Sequence, residues 1–252
     1  MISLKSKREI EIMRRSGEIL KEVFRRVQPA VQPGVTTEEL DRIAEKTMLE
    51  YKGQPAFKGY RGFPKTTCIS VNEEVVHGIP GRRVLKSGDL VSVDVGVKVE
   101  GYYADAARTW PVGRVDQGKL KLMTAAQESL MAGLAAYKSG CRIGDLSAAI
   151  QRHIESKGFG VVRDYVGHGI GRAIHEDPQV PNYGRAGHGS KIEPGLVLAI
   201  EPMVTEGHYD VEVLEDGWTV VTRDRKWASH YEDTIAFLED SFVVLTGDFK
   251  NA

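Results

Sequence analysis

Cysteine is nearly absent from this chain: Cys68 and Cys141 are the only two in 252 residues. Two thiols cannot build a disulfide framework, and they are too few for a zinc site made of thiolates. The fold must therefore rest on an apolar core, and a reducing, cytoplasmic setting is expected. An excess of charge of one sign is missing as well. The 34 basic and 35 acidic residues leave a formal net charge of −1, which removes any bulk attraction to nucleic acid or to a membrane surface. Nor does the start of the chain hold a long apolar run. Met1 to Val27 interleaves Lys, Arg and Glu throughout, unlike a signal peptide or a membrane span. The helical His-Glu-x-x-His zinc motif does not occur.

What is present is ordinary globular material, 41 % apolar and 27 % charged, enough for a sizeable core. One domain over residues 1–252 is expected. Ser6 and Glu9 form a capping-box pattern ahead of Ile10, Met13, Gly17, Leu20 and Phe24 at helical spacing. A second helix is predicted with Thr36 or Thr37 as cap and Leu40, Ile43, Ala44 and Thr47 as its inner stripe, ended by Gly53 and Pro55. Strand-like runs follow at Cys68 to Val71, Leu90 to Val99 and Ala104 to Trp110. Near the end, two alternating runs flank Asp216-Gly217 over Val211 to Val221, a hairpin signal. The final strand-like run contains Glu232.

The second half echoes the first. Gly34 to Leu40 and Gly140 to Leu146 both set a glycine six residues before a leucine. His-Gly-Ile occurs at His77 and again at His168. Gly88 leads through an apolar run to Asp94, as Gly195 leads to Glu201. The order is the same both times, which predicts two related αβ halves, about 1–110 and 111–252, facing each other across a pseudo-twofold axis. His77 and His168, and Asp94 and Glu201, would then converge on one cleft, where a site belongs.

The acids themselves point to a cation. Val91, Val93, Val95 and Val97 face one side of a strand and Ser92, Asp94 and Gly96 the other. An isolated strand aspartate normally faces solvent. Here Asp105 follows on the next strand after a turn near Gly101, and two adjacent carboxylates repel unless a proton or a cation lies between them. Glu201 ends a run too apolar for a surface strand, and Glu232 stands among apolar and aromatic neighbours, so each needs a partner. His168 lies in Gly167-His168-Gly169-Ile170-Gly171, where glycines leave room for close approach, and His175 follows seven residues later. Four carboxylates and an imidazole form an oxygen-rich set suited to Mn, Fe, Co, Mg or Zn. Shared acids also suit two ions and metal-assisted hydrolysis.

With these residues in view, the chain resembles the type I methionine aminopeptidases of the creatinase-like pita-bread family, over nearly its whole length. The marks are Val75 to Pro80, Asp94 with Asp105, Gly167 to Arg172, Ile200-Glu201-Pro202 and Tyr231 to Thr234. The resemblance implies an α+β pita-bread fold, with a curved, mostly antiparallel sheet covered by helices. It implies two divalent ions held by Asp94, Asp105, His168, Glu201 and Glu232, with Asp105 and Glu232 bridging. It also implies removal of N-terminal methionine from nascent chains, preferentially before a small second residue. Glu201 would shuttle the proton, His175 would stabilise the oxyanion, and His77 would bind the scissile amide nitrogen. Tyr60, Phe63, Cys68, Ile174 and Trp218 would form the methionine pocket.

Two departures from the family pattern bear on that pocket: Phe57 stands where many bacterial members have cysteine, and Ile174 stands where an aromatic often precedes the histidine. Only 33 residues separate His168 from Glu201, too few for the helical insertion of type II enzymes. The expected protein is a stand-alone monomer with no membrane or specific nucleic-acid partner. Lys5, Lys7, Arg8, Arg14 and Arg15 offer either a transient ribosome contact or simply a solvated helix face. Rival readings are a proline-directed peptidase of the same fold, which usually carries an extra N-terminal domain, and a metal-free binding protein on the same scaffold.

Overall fold

The structure, a computed structural model, describes residues 2–247. Helix α1 (Lys7–Val27) begins where the capping box places it: the Ser6 hydroxyl accepts from the Glu9 N–H and the Glu9 carboxylate accepts from the Ser6 N–H. Thr36 and Glu39 repeat the arrangement at α2 (Thr37–Glu50). Such caps satisfy amide donors that the first helical turn leaves open. Five strands complete this half: β1 (Gln54–Pro55), β2 (Thr67–Val71), β3 (Glu74–Val76), β4 (Leu90–Val99) and β5 (Tyr102–Pro111).

Strand β4 is the spine of its sheet. It pairs antiparallel with β5 along its whole length, and with β2 and β1 on its other edge. Val91, Val93, Val95 and Val97 are all fully buried and pack with Leu20, Val23, Leu40 and Met48 of the two helices. Each such burial stabilises by roughly 1.5–3 kcal/mol, so this face fixes the register of β4. A slip of one residue would turn Asp94 into the valine core.

The second half comprises α3 (Gln117–Ala135), α4 (Ile143–Ser156), β6 (Gly160–Val161), β7 (Gly167–Gly169), β8 (Glu176–Val180), β9 (Val197–Ile200), β10 (Met203–Thr205), β11 (Val211–Val213), β12 (Val220–Thr222), β13 (Ala228–His230), β14 (Asp233–Phe237) and β15 (Phe242–Val244). Asp116 caps α3. The largest sheet runs β15-β14-β9-β7-β8, two three-stranded sheets run β13-β10-β6 and β11-β12-β3, the latter taking β3 from the first half, and every pairing is antiparallel. The hairpin expected around Asp216-Gly217 forms from β11 and β12. Leu130, Leu134, Leu146 and Ile150 of the helices bury against Leu198, Ile235 and Phe237 of this sheet.

The half-repeat is built into the hydrogen bonding. Helices α2 and α4 each have 14 residues. The cap residue of each forms an isolated antiparallel bridge, Thr36 to Val84 and Arg142 to Lys191. Leu85 N–H donates to Val35 carbonyl at 2.8 Å, as Ile192 N–H donates to Cys141 carbonyl at 2.9 Å. Thr37 N–H reaches Arg83 carbonyl at 3.0 Å, as Ile143 N–H reaches Ser190 carbonyl at 2.9 Å. Gly88 and Gly195 then turn at φ 103° and 93° into β4 and β9, each paired antiparallel with a later strand. Mixed helices and antiparallel sheets in two pseudo-symmetric halves are the pita-bread architecture.

Gly34 and Gly195 both occupy positive φ, but an added Cβ at Gly34 would meet nothing within 4 Å, whereas at Gly195 it would lie 2.7 Å from the Lys5 carbonyl oxygen. Gly34→Ala should therefore cost only the left-handed strain of about 1–2 kcal/mol. Gly195→Ala should cost measurably more, and urea denaturation of the two variants side by side checks the difference.

Candidate metal centre

The two halves meet edge to edge along β5. Ala107 and Glu232 exchange backbone hydrogen bonds of 3.2 and 3.0 Å. Two threonines stitch the seam on either side. The Thr109 hydroxyl donates to the His230 carbonyl at 2.7 Å and accepts its N–H at 3.1 Å. The Thr234 hydroxyl donates to the Asp105 carbonyl at 2.8 Å and accepts its N–H at 2.9 Å. Arg108 reinforces the seam from the opposite face, donating to Asp233 Oδ1 at 2.6 Å and to the carbonyls of Ala107 and Glu232.

The seam brings the acids together. Asp94 lies opposite Ala107 in the β4–β5 ladder, and Asp105 lies opposite Gly96. The two aspartates are thus diagonal neighbours on one face rather than directly paired. Ala107 also faces Glu232, so only a methyl group separates Asp94 from Glu232 across the strands. Glu201 follows the last residue of β9, whose Ile200 pairs with Asp233, and its side chain is 14 % exposed. Glu232 itself sits one residue before β14, held by the bridge to Ala107 rather than inside a strand as expected.

Ligand atoms of Asp105, His168 and Glu232 lie within 4.8 Å of one another. One oxygen each of Asp94, Asp105 and Glu232 is buried without a hydrogen-bond partner. Burial and mutual repulsion raise Asp94, Glu201 and Glu232 well above the usual carboxylate range. Burial pushes Asp105 up to about 7. Unsatisfied buried oxygens and carboxylates made reluctant to ionise fit a divalent-cation site, since a bound cation would satisfy both at once.

His168 is prepared to be a ligand. Its Nδ1 is 2.9 Å from the Gly169 carbonyl oxygen, an acceptor only, so that nitrogen carries the proton. Nε2 is left with its lone pair 3.7 Å from Glu201 Oε1. Fixing the tautomer through the second ring nitrogen is how proteins orient metal-binding histidines. Burial lowers the His168 pKa to about 4, so the lone pair is free at neutral pH. His77 and His175 line the same cavity. His77 adopts φ 60° and its ring lies edge-on to Tyr165 at 5.5 Å; burial brings its pKa to about 4. His175 is exposed at the mouth, 4.3 Å from the His168 ring between centroids, with Nδ1 2.9 Å from the Tyr60 hydroxyl.

Asp94, Asp105, His168, Glu201 and Glu232 thus line one cavity of about 180 Å³ together with both histidines. Phe57, Phe63, Cys68 and Ile174 form an apolar cluster at its side, with Tyr60 and Trp218 packed on it and Phe63 edge-on to Trp218 at 5.1 Å. Phe57, Tyr60, Phe63, Cys68 and Trp218 reach the cavity surface; Ile174 packs into the cluster behind them. Gly96 is what admits Phe57, since a Cβ there would lie 2.7 Å from its ring. Phe57 therefore belongs to the wall itself.

Three residues of the site went unread in the sequence. His230, 2 % exposed, has an unpartnered Nε2 3.7 Å from Glu201 and 3.8 Å from Glu232. It stands two residues before Glu232 in an extended run, and that alternation was the available signal. Arg108 occupies a core-facing register position of β5, between Ala106 and Trp110, where a charge demands an acid. Arg61 lines the cavity mouth, with nothing in the sequence to mark it. One expectation fails: Lys5 is not on a solvated helix face. It precedes α1, is 6 % exposed, and binds Glu176 at 2.6 Å. Lys7, Arg8 and Arg15 are exposed and Arg14 is half-buried, with Arg14 and Arg15 paired to Glu11 and Glu100.

No helix among the described residues is long and apolar enough to cross a membrane. The sequence is 50 % identical over 246 residues to a methionine aminopeptidase of Clostridium perfringens, covering 98 % of this chain and 99 % of that protein. It is 49 % identical to methionine aminopeptidase 1 of Bacillus subtilis, covering 98 % and 99 %. The crystal structure of the Thermotoga maritima methionine aminopeptidase superposes with a TM-score of 0.97 at 46 % identity, covering 98 % of this chain and 100 % of that one. The prolidase of Pyrococcus horikoshii shares the fold, with a TM-score of 0.79 at 23 % identity and 64 % of its chain covered. The model of metallopeptidase family M24 matches residues 11–244. Cavity, carboxylate cluster and relatives agree, and the chain belongs to metallopeptidase family M24.

Proposed function

We propose that this chain removes the N-terminal methionine from nascent proteins and peptides, preferentially when the second residue is small, acting as a single catalytic domain in the cytoplasm. The observation that carries the reading is one cavity in which orphaned carboxylate oxygens and a lone-pair imidazole adjoin an apolar, sulfur-containing wall. That wall suits a thioether side chain. The relatives named methionine aminopeptidase match along their full length, which favours this reading over Xaa-Pro cleavage.

Asp94, Asp105, His168, Glu201 and Glu232 would hold two divalent ions, of Co, Mn, Fe, Zn or Mg. Bound divalent ions supply a water deprotonated at neutral pH and polarise the substrate carbonyl. The chain's own groups do the rest. Glu201, at the cavity edge of the cluster, takes the water proton and passes it to the leaving amine. With the Tyr60 hydroxyl, 2.9 Å away, donating to Nδ1, the proton of the neutral His175 ring would lie on Nε2 as a donor to the developing oxyanion. Although the residue is exposed at the mouth, desolvation of its ring against Tyr60 and His168, with the charge of Arg61, lowers its pKa and favours the neutral ring. His77, from the other half, holds the scissile amide nitrogen. The Phe57, Phe63, Cys68 and Trp218 wall excludes water from the methionine side chain.

Three outcomes test this. Metal-reconstituted enzyme should cleave Met-Ala and Met-Gly peptides faster than Xaa-Pro peptides, and Asp94→Ala should abolish that activity; preferential Xaa-Pro hydrolysis would overturn the assignment. His175→Ala should lower kcat by about a hundredfold or more, the usual loss for an oxyanion donor, with divalent-ion stoichiometry unchanged by calorimetry. Stability should also depend on pH in a defined direction. Asp105 binds its proton up to about 7 when folded against 3.8 when unfolded, so the folded state holds more protons in that window and metal-free stability falls as pH rises through it. Saturating divalent ion should therefore raise Tm more at pH 7.5 than at pH 5, and an equal rise at both would contradict the clustered-acid account.

A further inference from the structure

The ion pair between Lys5 and Glu176 joins the segment before α1 to the residue that follows His175. Lys5 Nζ lies 2.6 Å from Glu176 Oε2 and 2.8 Å from the Ser3 carbonyl, with its side chain only 2 % exposed. The other carboxylate oxygen, Oε1, accepts the N–H groups of Arg172 and Ala173 at 2.7 and 3.1 Å. Glu176 therefore spans the loop from both sides: its own backbone begins β8, and its carboxylate grips the first turn after β7. Burial alone would raise the Glu176 pKa, and the Lys5 ammonium with the two loop N–H groups holds it below the usual range.

The surroundings are shaped for this contact. A Cβ on Gly171 would lie 2.3 Å from Lys5 Cε and 2.8 Å from Glu176 Oε1, so the glycine admits both partners. The Lys5 backbone is itself anchored, its N–H donating to the Gly195 carbonyl at 2.7 Å. The other charged tie of the loop, Arg172 to Glu9 at 3.5 Å, has its guanidinium side chain 73 % exposed and contributes little in water. His175 has one side-chain hydrogen bond, to Tyr60, so its backbone must be fixed by the loop.

We propose that Lys5 is a positioning residue for the reaction: its buried pair with Glu176 sets the 171–175 loop and thereby aims the His175 ring at the cavity. This rests on the oxyanion role given to His175 above. A pair that merely held the fold together would leave the efficiency of folded enzyme untouched. A positioning pair acts on turnover, and acts only through His175.

The test is a double-mutant cycle on metal-reconstituted enzyme with a Met-Ala peptide. Lys5→Met should lower kcat by about tenfold or more, as small misplacements of catalytic groups do, with KM within about twofold and calorimetric divalent-ion affinity unchanged. Lys5→Arg should recover part of the loss. In a His175→Ala background, Lys5→Met should change kcat by less than about twofold, because the group it positions is gone. Should Lys5→Met fold poorly with Glu176 left unpaired, the neutral pair Lys5→Met/Glu176→Gln takes its place in the same cycle. Equal losses in both backgrounds, or unchanged kcat in the His175 enzyme, overturn the proposal. Wild-type turnover after His175→Ala alone instead overturns the reading of His175 beneath it.

Discussion

Carboxylates from both halves of the molecule are forced into one water-poor cavity, and the rest of the structure is arranged around that constraint. Two like charges 4 Å apart repel by about 4 kcal/mol at an effective dielectric of 20, and here four acids converge. The repulsion is contained because each acid sits on backbone that cannot retreat. Asp94 is fixed by a valine face buried under α1 and α2, and Glu201 by a strand buried under α3 and α4. Asp105 and Glu232 are fixed by the seam, where Thr109, Thr234 and Arg108 tie side chain to backbone across the two sheets. Asp233 shows the economy of the arrangement. It neighbours Glu232 and points the other way, so one residue faces the cavity while the next neutralises the arginine that holds it.

The internal repeat explains why acids from such distant sequence positions meet. In each half a capped helix of 14 residues, a bridge at its cap and a glycine turn deliver a strand whose acid lies six residues past the glycine. Two copies facing each other put Asp94 and Glu201 on opposite walls of the same cleft. The copies then diverge in what they add. The first half adds Phe57, Phe63 and Cys68 to the apolar wall and the second adds Ile174 and Trp218, while His77 comes from the first half and His168 and His175 from the second. A symmetric scaffold thereby carries a site in which each half supplies both apolar and polar groups, as a substrate with an apolar side chain and a reactive backbone requires.

The sequence showed the periodic part of this and concealed the part made by distant contacts. The valines of β4 alternate without exception, so its faces and ends could be read directly. The two glycine-to-leucine spacings gave away the repeat because both helices begin alike, with the third residue's carboxylate accepting the cap N–H, Glu39 from Thr36 and Asp145 from Arg142. Helix α3 escaped because its inner stripe, Leu122, Ala125, Ala126, Ser129, Leu130, Gly133 and Leu134, is half made of small residues that carry little apolar signal. The five residues proposed as ligands stand out through their misplaced charge and the family motifs, and they line one cavity, but Asp94 and Asp105 are diagonal rather than opposite, since strand register depends on the turn between them. Lys5 was misread because charge beside a helix normally means solvent. Its partner lies 171 residues away, and no local pattern reports such a pair.

The proposed ligands and the proposed donors differ in how they are held, and the difference follows from what each must do. A metal ligand has to be in place before substrate arrives, so Asp94, Asp105 and His168 sit in strands, Asp94 and His168 with ladders on both sides, and Glu201 and Glu232 lie at strand ends. A group that meets the oxyanion or the leaving nitrogen must reach past the ions into space the substrate also occupies, which a strand interior cannot provide. His77 therefore leaves β3 on a left-handed residue, and His175 stands at the mouth on the loop between β7 and β8. Such loops are mobile unless something ties them down. A buried ion pair is a costly tether, since desolvating both charges takes back much of what their attraction gives. Its presence beside His175, where the exposed Arg172–Glu9 pair contributes little, is accounted for by the need to hold one ring in one place.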